Sequence, residues 1–86
     1  MSVISAEDIE RWLALGKLWD LKNSLNKWKQ YREEKYDQFR RAEYSGANKA
    51  ILAIIDIELR EIVDKIAELA DEYEAQLNYV REKGWL

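Results

Sequence analysis

The residues of this chain that could do chemistry are carboxylates at helical neighbour spacing. Glu58 and Glu61 are three positions apart, and Glu68 is followed at three and four positions by Asp71 and Glu72. On a helix such residues share a face, and paired carboxylates can hold a hard cation such as Mg²⁺ or Ca²⁺. Because carboxylates on an acidic helix are more often a solvated face, we predict no metal, cofactor or catalytic site.

Histidine and cysteine do not occur in the sequence. Their absence removes the Ser-His and Cys-His nucleophile pairs and the Glu-x-x-His element of di-iron bundles. The three glycines are isolated, so no glycine-rich phosphate loop can form. We therefore predict that the protein is not an enzyme. Without cysteine, the redox compartment stays undetermined.

A basic segment between Lys22 and Arg41 has seven basic residues against three acids, with four aromatic residues interleaved. Basic and aromatic side chains together are typical of nucleic-acid surfaces. The candidate contacts are Lys27, Lys29, Arg32, Arg40 and Arg41. A small nucleic-acid-binding bundle is thus an alternative function, although the net charge of -3 and a pI near 5.0 disfavour it.

The elements that would position these residues are helices. A heptad of mainly apolar residues runs through the second half of the chain, and it places a single seam along a helix that must be buried against another helix. The seam consists of Leu52, Ile55, Leu59, Ile62, Ile66, Leu69, Tyr73, Gln76 and Val80. In the first half, one helical face carries Leu18, Leu21, Leu25, Trp28, Tyr36 and Phe39.

Capping residues mark the ends of the two helices. Ser5 can cap the first helix, Gly46 can end it in a left-handed conformation, Asn48 can cap the second helix, and Gly84 can end it. The sequence therefore predicts one helical domain over residues 1–86, with a helix at 5–44, a turn at 45–48 and a helix at 49–83.

The first helix contains soft spots at Gly16 and between Asn23 and Asn26, because glycine costs about 1 kcal/mol relative to alanine inside a helix. Two all-α architectures follow. One is a long antiparallel helical hairpin resembling a coiled coil, and the other is a three-helix bundle with a break between Gly16 and Asn26. We favour the hairpin.

A lone hairpin would leave several large apolar side chains exposed because they point away from the seam. They are Trp12, Leu15, Trp19, Ile54 and Ile57, and Trp85 is a further candidate contact near the open end. An antiparallel two-fold dimer of hairpins, forming a four-helix bundle, could cover these residues. We therefore expect a homodimer that acts by protein contact, as an adaptor, inhibitor, structural component or small regulator.

Charge supports the hairpin as well. Folding about Gly46 brings the basic segment beside residues 52–71, where six acids outnumber two bases. Complementary flanks of this kind set the orientation of paired helices. The polar or bulky residues Arg32, Tyr73 and Gln76 near the seams favour one register over its neighbours.

The outline also resembles the small secreted bacterial hairpins that are named for a Trp-x-Gly turn. The turn from Tyr44 to Gly46 and the segment from Ile66 to Tyr73 carry the resemblance. It implies a dimer exported by a specialised secretion system. In this chain a tyrosine replaces the tryptophan of the turn. At the spacing of the family's Tyr-x-x-x-acid export signal, Tyr73 and Tyr79 are followed by Leu77 and Lys83.

The longest apolar run, from Ala50 to Ile55, is far shorter than the roughly 20 residues that cross a bilayer. The segment from Met1 to Glu7 lacks the basic start and apolar stretch of a secretory signal. We therefore expect a cytoplasmic protein, while secretion by a leaderless route and a place in a virion stay open.

Overall fold

The computed structural model describes residues 3–86 and contains two long helices joined by a tight turn. Helix α1 spans Ala6–Tyr44 and helix α2 spans Lys49–Glu82. They pack against each other as a hairpin measuring 68 × 23 × 16 Å. The all-α hairpin predicted from the heptad is thereby confirmed. Met1 and Ser2, the first residues of the segment from Met1 to Glu7 discussed above, lie outside the described residues.

The helices begin and end at the predicted capping residues. The Ser5 side chain accepts a hydrogen bond from the Asp8 amide at 3.1 Å, and the Asn48 side chain accepts one from the Ile51 amide at 3.0 Å. Gly46 follows α1 with a φ of 78°, a conformation that glycine adopts without a steric penalty. The predicted helix boundaries agree with the structure to within one residue.

Helix α1 continues through Gly16 and the Asn23–Asn26 segment without a break, so the three-helix alternative is not formed. The cost of a glycine inside a helix is about 1 kcal/mol. Burial of Leu21 just before the polar segment and of Leu25 within it offsets that cost, because burying a leucine side chain contributes roughly 1.5–3 kcal/mol.

The interface between the helices follows the predicted seam of α2. Ile55, Ile66, Leu69 and Val80 are buried, and the other five seam residues are half-buried. The core cluster joins Leu21 and Leu25 of α1 to Ile66 and Leu69 of α2, and Trp28, Ile62, Ala70 and Tyr73 pack against it.

The α1 side of the interface differs in part from the prediction. Arg32 and Lys35 lie half-buried at interface positions, whereas Tyr36 is 36% exposed. The α1 heptad starts at Leu18 and Leu21 and continues in alternating steps of three and four residues. It reaches Arg32 and Lys35 when polar residues are allowed at its positions. Long basic side chains fit at these positions because their alkyl stems pack on apolar surface while their charges reach solvent.

The expected charge matching between the helices is realised in one contact. Lys35 Nζ pairs with Glu58 across the interface at 2.5 Å. The remaining ion pairs among residues 3–86 join residues of the same helix. Within these same residues, neither helix has the length and apolar character that crossing a membrane requires.

Candidate protein interaction surface

An apolar cleft opens at the end of the hairpin that is remote from the turn. It encloses about 330 Å³. The side chain of Trp19, which lines the cleft, is 63% exposed, and that of Trp12, two turns earlier on α1, is 60% exposed. The cleft is lined by Leu15, Leu18, Trp19, Lys22, Tyr73, Leu77 and Leu86. Exposed indoles beside an apolar cleft are typical anchors of protein interfaces.

The two tryptophans belong to one long side of the hairpin. Trp12 and Trp19 are seven residues apart and therefore lie two turns apart on the same side of α1. Leu77 of α2 lines the cleft beside Trp19, and Val63, two heptads before Leu77, lines a second cleft with Tyr36 of α1. We call this side, with Trp12, Leu15, Trp19, Tyr36, Val63 and Leu77, the tryptophan flank.

Two polar contacts between the helices lie on the opposite side of the seam. Glu58 pairs there with Lys35, and Tyr79, three heptads after Glu58, donates a hydrogen bond to Glu10 at 2.8 Å. Ile54 precedes Glu58 by one helical turn and lies on the same side. We call this side, with Glu10, Ile54, Glu58 and Tyr79, the glutamate flank.

The two groups of unpaired apolar residues therefore do not share a surface. Trp19 lies on the tryptophan flank, Ile54 lies on the glutamate flank, and Ile57 faces away from the seam. Ile54 and Ile57 are 57% and 56% exposed, as expected for a lone hairpin. A single flat interface can therefore cover the tryptophans or Ile54, but not both. The four-helix bundle expected from the sequence, in which one dimer interface covers both groups, does not fit this placement.

Trp85 is placed against the end of the hairpin rather than projecting from it. It is half-buried, and its ring meets the Tyr79 ring edge to face at 6.0 Å between centroids. Lys83 Nζ lies 5.7 Å from the Tyr79 ring and 5.9 Å from the Trp85 ring. The hydrogen bond from Tyr79 to Glu10 raises the pKa of Tyr79, and burial and the negative charge of Glu10 raise it further.

The five basic residues proposed to contact nucleic acid do not form one surface. Arg32 is half-buried at the interface, where its Nε lies 3.6 Å from Glu33. Lys27 lies over the Tyr31 ring at 5.8 Å, and Arg40 pairs with Asp37 at 3.4 Å. Lys29 and Arg41 are exposed on different sides of α1, since twelve residues separate them.

In each acidic group of α2, one carboxylate forms an ion pair with a lysine. Glu58 pairs with Lys35, and Glu68 Oε2 lies 3.8 Å from Lys65 Nζ. Glu61, Asp71 and Glu72 are exposed. Over residues 3–86, no three acidic side chains converge in a way that could hold a metal ion.

Comparison of the chain with protein-family models, with curated proteins and with solved structures found no match. The likeness to the Trp-x-Gly hairpins consequently rests on the helical outline and the few residues quoted for it.

Sequence reasoning did not place Leu77, Val63 and Tyr36 at the candidate surface. The signal that could have found them is the heptad position immediately outside the seam, which Leu15 and Tyr36 occupy in α1 and Val63 and Leu77 occupy in α2. In an antiparallel pair these positions of both helices fall on one side.

Proposed function

We propose that this protein is a non-enzymatic interaction module whose tryptophan flank binds a second copy of the chain. The observation that carries the proposal is the exposure of Trp19 at an apolar cleft and of Trp12 two turns away on the same side of α1. A tryptophan buries roughly 150–250 Å² at an interface, so the two exposed rings offer roughly 250 Å² per copy. At about 25 cal/mol per Å² this is about 6 kcal/mol of favourable transfer. Self-association of this kind suits an adaptor, an assembly component, an inhibitor or a small regulator.

The nucleic-acid alternative has less support because its basic residues lie on several sides of α1. Fluorescence anisotropy with labelled single-stranded and double-stranded oligonucleotides at about 50 mM salt would test it. Binding that weakens steeply with added salt would favour that alternative. Absence of binding leaves self-association as the function that the surface supports.

Sedimentation equilibrium from about 1 to 100 μM tests the proposal, because this range brackets a micromolar dissociation constant. We expect the mass to rise from 10.3 kDa toward twice that value. The variant Trp19→Ala should shift the rise to at least tenfold higher concentration. Tyr44→Ala is the matched control, because Tyr44 is a 97% exposed aromatic residue at the turn end. A fully helical protein that stays at one chain mass throughout would contradict the proposal.

A further inference from the structure

We infer that the short segment after α2 belongs to the self-association surface, with Leu86 as a contact to the second copy and Trp85 as the residue that positions it. This inference rests on the proposed self-association and adds residues to its surface. The tryptophan flank, as described above, is formed by residues of the two helices. Leu86 lies outside both helices and lines the same cleft as Trp19.

The backbone after α2 has a fixed conformation at the end of the helix. Gly84 has a φ of 71°, and its amide donates a hydrogen bond to the carbonyl oxygen of Arg81 at 2.9 Å. The amide of Trp85 donates to the carbonyl oxygen of Val80 at 3.1 Å. These two hydrogen bonds around a left-handed glycine form a Schellman motif, which pairs the last carbonyl groups of a helix. The direction of the chain after Gly84 is therefore set by backbone hydrogen bonds.

The turn after α2 brings Leu86 back toward the cleft. Leu86 lines the cleft together with Leu77, although nine residues of uninterrupted helix would separate the two by about 13 Å along the axis. Leu86 is 68% exposed, and Trp19 in the same cleft is 63% exposed. Two exposed apolar side chains at one cleft form a continuous surface of the kind that marks a protein contact. Leu86 therefore extends the apolar surface offered to a second copy.

Trp85 holds this segment against the hairpin from the other side of the seam. Its ring meets the Tyr79 ring edge to face at 6.0 Å between centroids, an apolar contact that commonly accompanies a Schellman motif. Tyr79 is in turn held by its hydrogen bond to Glu10 of α1 at 2.8 Å. Trp85 thus packs on a residue of the glutamate flank, whereas Leu86, the next residue, lines the cleft of the tryptophan flank. Trp85 is a positioning residue that acts on the cleft through Leu86.

Sedimentation equilibrium of Leu86→Ala, Trp85→Ala and the double variant, over the concentration range given above, tests both roles. We expect Leu86→Ala to raise the dissociation constant about tenfold, because a two-fold contact loses the leucine on both copies. Trp85→Ala should raise it similarly, since the released segment no longer holds Leu86 at the cleft. The double variant should be no weaker than Leu86→Ala, because both changes remove the same contact. Trp85→Phe should retain the affinity, since phenylalanine can keep the edge-to-face contact with Tyr79.

Leu13→Ala is the matched control, because Leu13 is a 70% exposed leucine near the same end of the hairpin. It follows Glu10 by three residues and so lies on the glutamate flank, outside the proposed contact. We expect its dissociation constant to equal that of the unmodified chain. The methyl chemical shifts of Leu86 measure its placement separately from association. They should differ from those of an unstructured leucine in the unmodified chain and revert in Trp85→Ala.

The outcomes separate the role of this segment from the association itself. A Leu86→Ala variant that dimerises like the unmodified chain overturns the inference while self-association stands. Losses that add in the double variant show that Trp85 acts independently of Leu86 and overturn its positioning role. If the unmodified chain sediments as a single chain throughout, the proposed self-association fails, and the contact of Leu86 with a second copy fails with it.

Discussion

Gln76 of α2 donates a hydrogen bond from its Nε2 atom to the carbonyl oxygen of Ala14 in α1, at 3.0 Å. Gln76 occupies a position of the seam that is otherwise apolar, and Ala14 is 7% exposed. A slip of one helix along the other would bury the Gln76 amide without this partner, at a cost of about 1–3 kcal/mol. The pair therefore specifies the register of the hairpin.

We expect Gln76→Ala to lower the free energy of unfolding by about 1–2 kcal/mol, because it removes both the hydrogen bond and the packing of the side-chain stem. Urea unfolding followed by circular dichroism measures the change. Gln30→Ala is the control, since Gln30 is exposed and bonds only to Glu34 of the same helix; it should change stability by less than about 0.5 kcal/mol. Equal losses in the two variants would show that the Ala14 contact does not stabilise the hairpin.

Much of the fold could be predicted because it depends on local chemistry. Ser5 and Asn48 cap their helices through side chains only three residues from the amides that they bind. The seam of α2 shows a heptad in which even Tyr73 and Gln76 lie at the interface. Both signals are contained in short stretches of sequence, so neither needs knowledge of the partner helix.

The rest depends on how the two helices face each other. Lys35 looks like a solvent residue in sequence because of its charge, and its partner Glu58 is identified only when the two helices are packed together. Trp19 and Ile54 were both predicted to point away from the seam. Trp19 and Ile54 lie on opposite flanks because α1 and α2 pack antiparallel. The periodicity of one helix alone cannot reveal this relationship.

Two glycines should respond in opposite directions to the same substitution. Gly16→Ala should raise the free energy of unfolding by about 1 kcal/mol, because alanine favours a helix and nothing lies within 4 Å of the added methyl group. Gly46→Ala should lower it by about 1 kcal/mol or more, since Gly46 has a φ of 78°. Thermal unfolding of both variants checks the signs. A destabilising Gly16→Ala would indicate a close neighbour at that position.

The Lys35 and Glu58 pair should behave as a coupled unit. Glu58→Ala leaves the Lys35 ammonium half-buried without its partner, so we expect a loss of about 1–2 kcal/mol. Lys35→Met should cost less, because methionine fills the space of the alkyl stem without a charge. In the double variant, the Glu58 change should cost little further, and urea unfolding of all four proteins gives the coupling energy. Strictly additive losses would contradict a direct interaction.

Alkaline pH should weaken the contact between Tyr79 and Glu10. The phenol donates to the carboxylate, which raises the pKa of Tyr79 above its usual value of 10.0. The stabilisation is fully present below the pKa of the unfolded chain and is lost as the pH rises through the higher folded pKa.

Thermal unfolding of the natural chain and of Tyr79→Phe between about pH 8 and 11 tests this contact. The natural chain should be the more stable of the two at pH 8, and the difference should shrink toward the alkaline end. Tyr44→Phe serves as the control, because Tyr44 is 97% exposed and close to the turn. A difference that does not vary with pH would show that the Tyr79 hydroxyl does not titrate against Glu10.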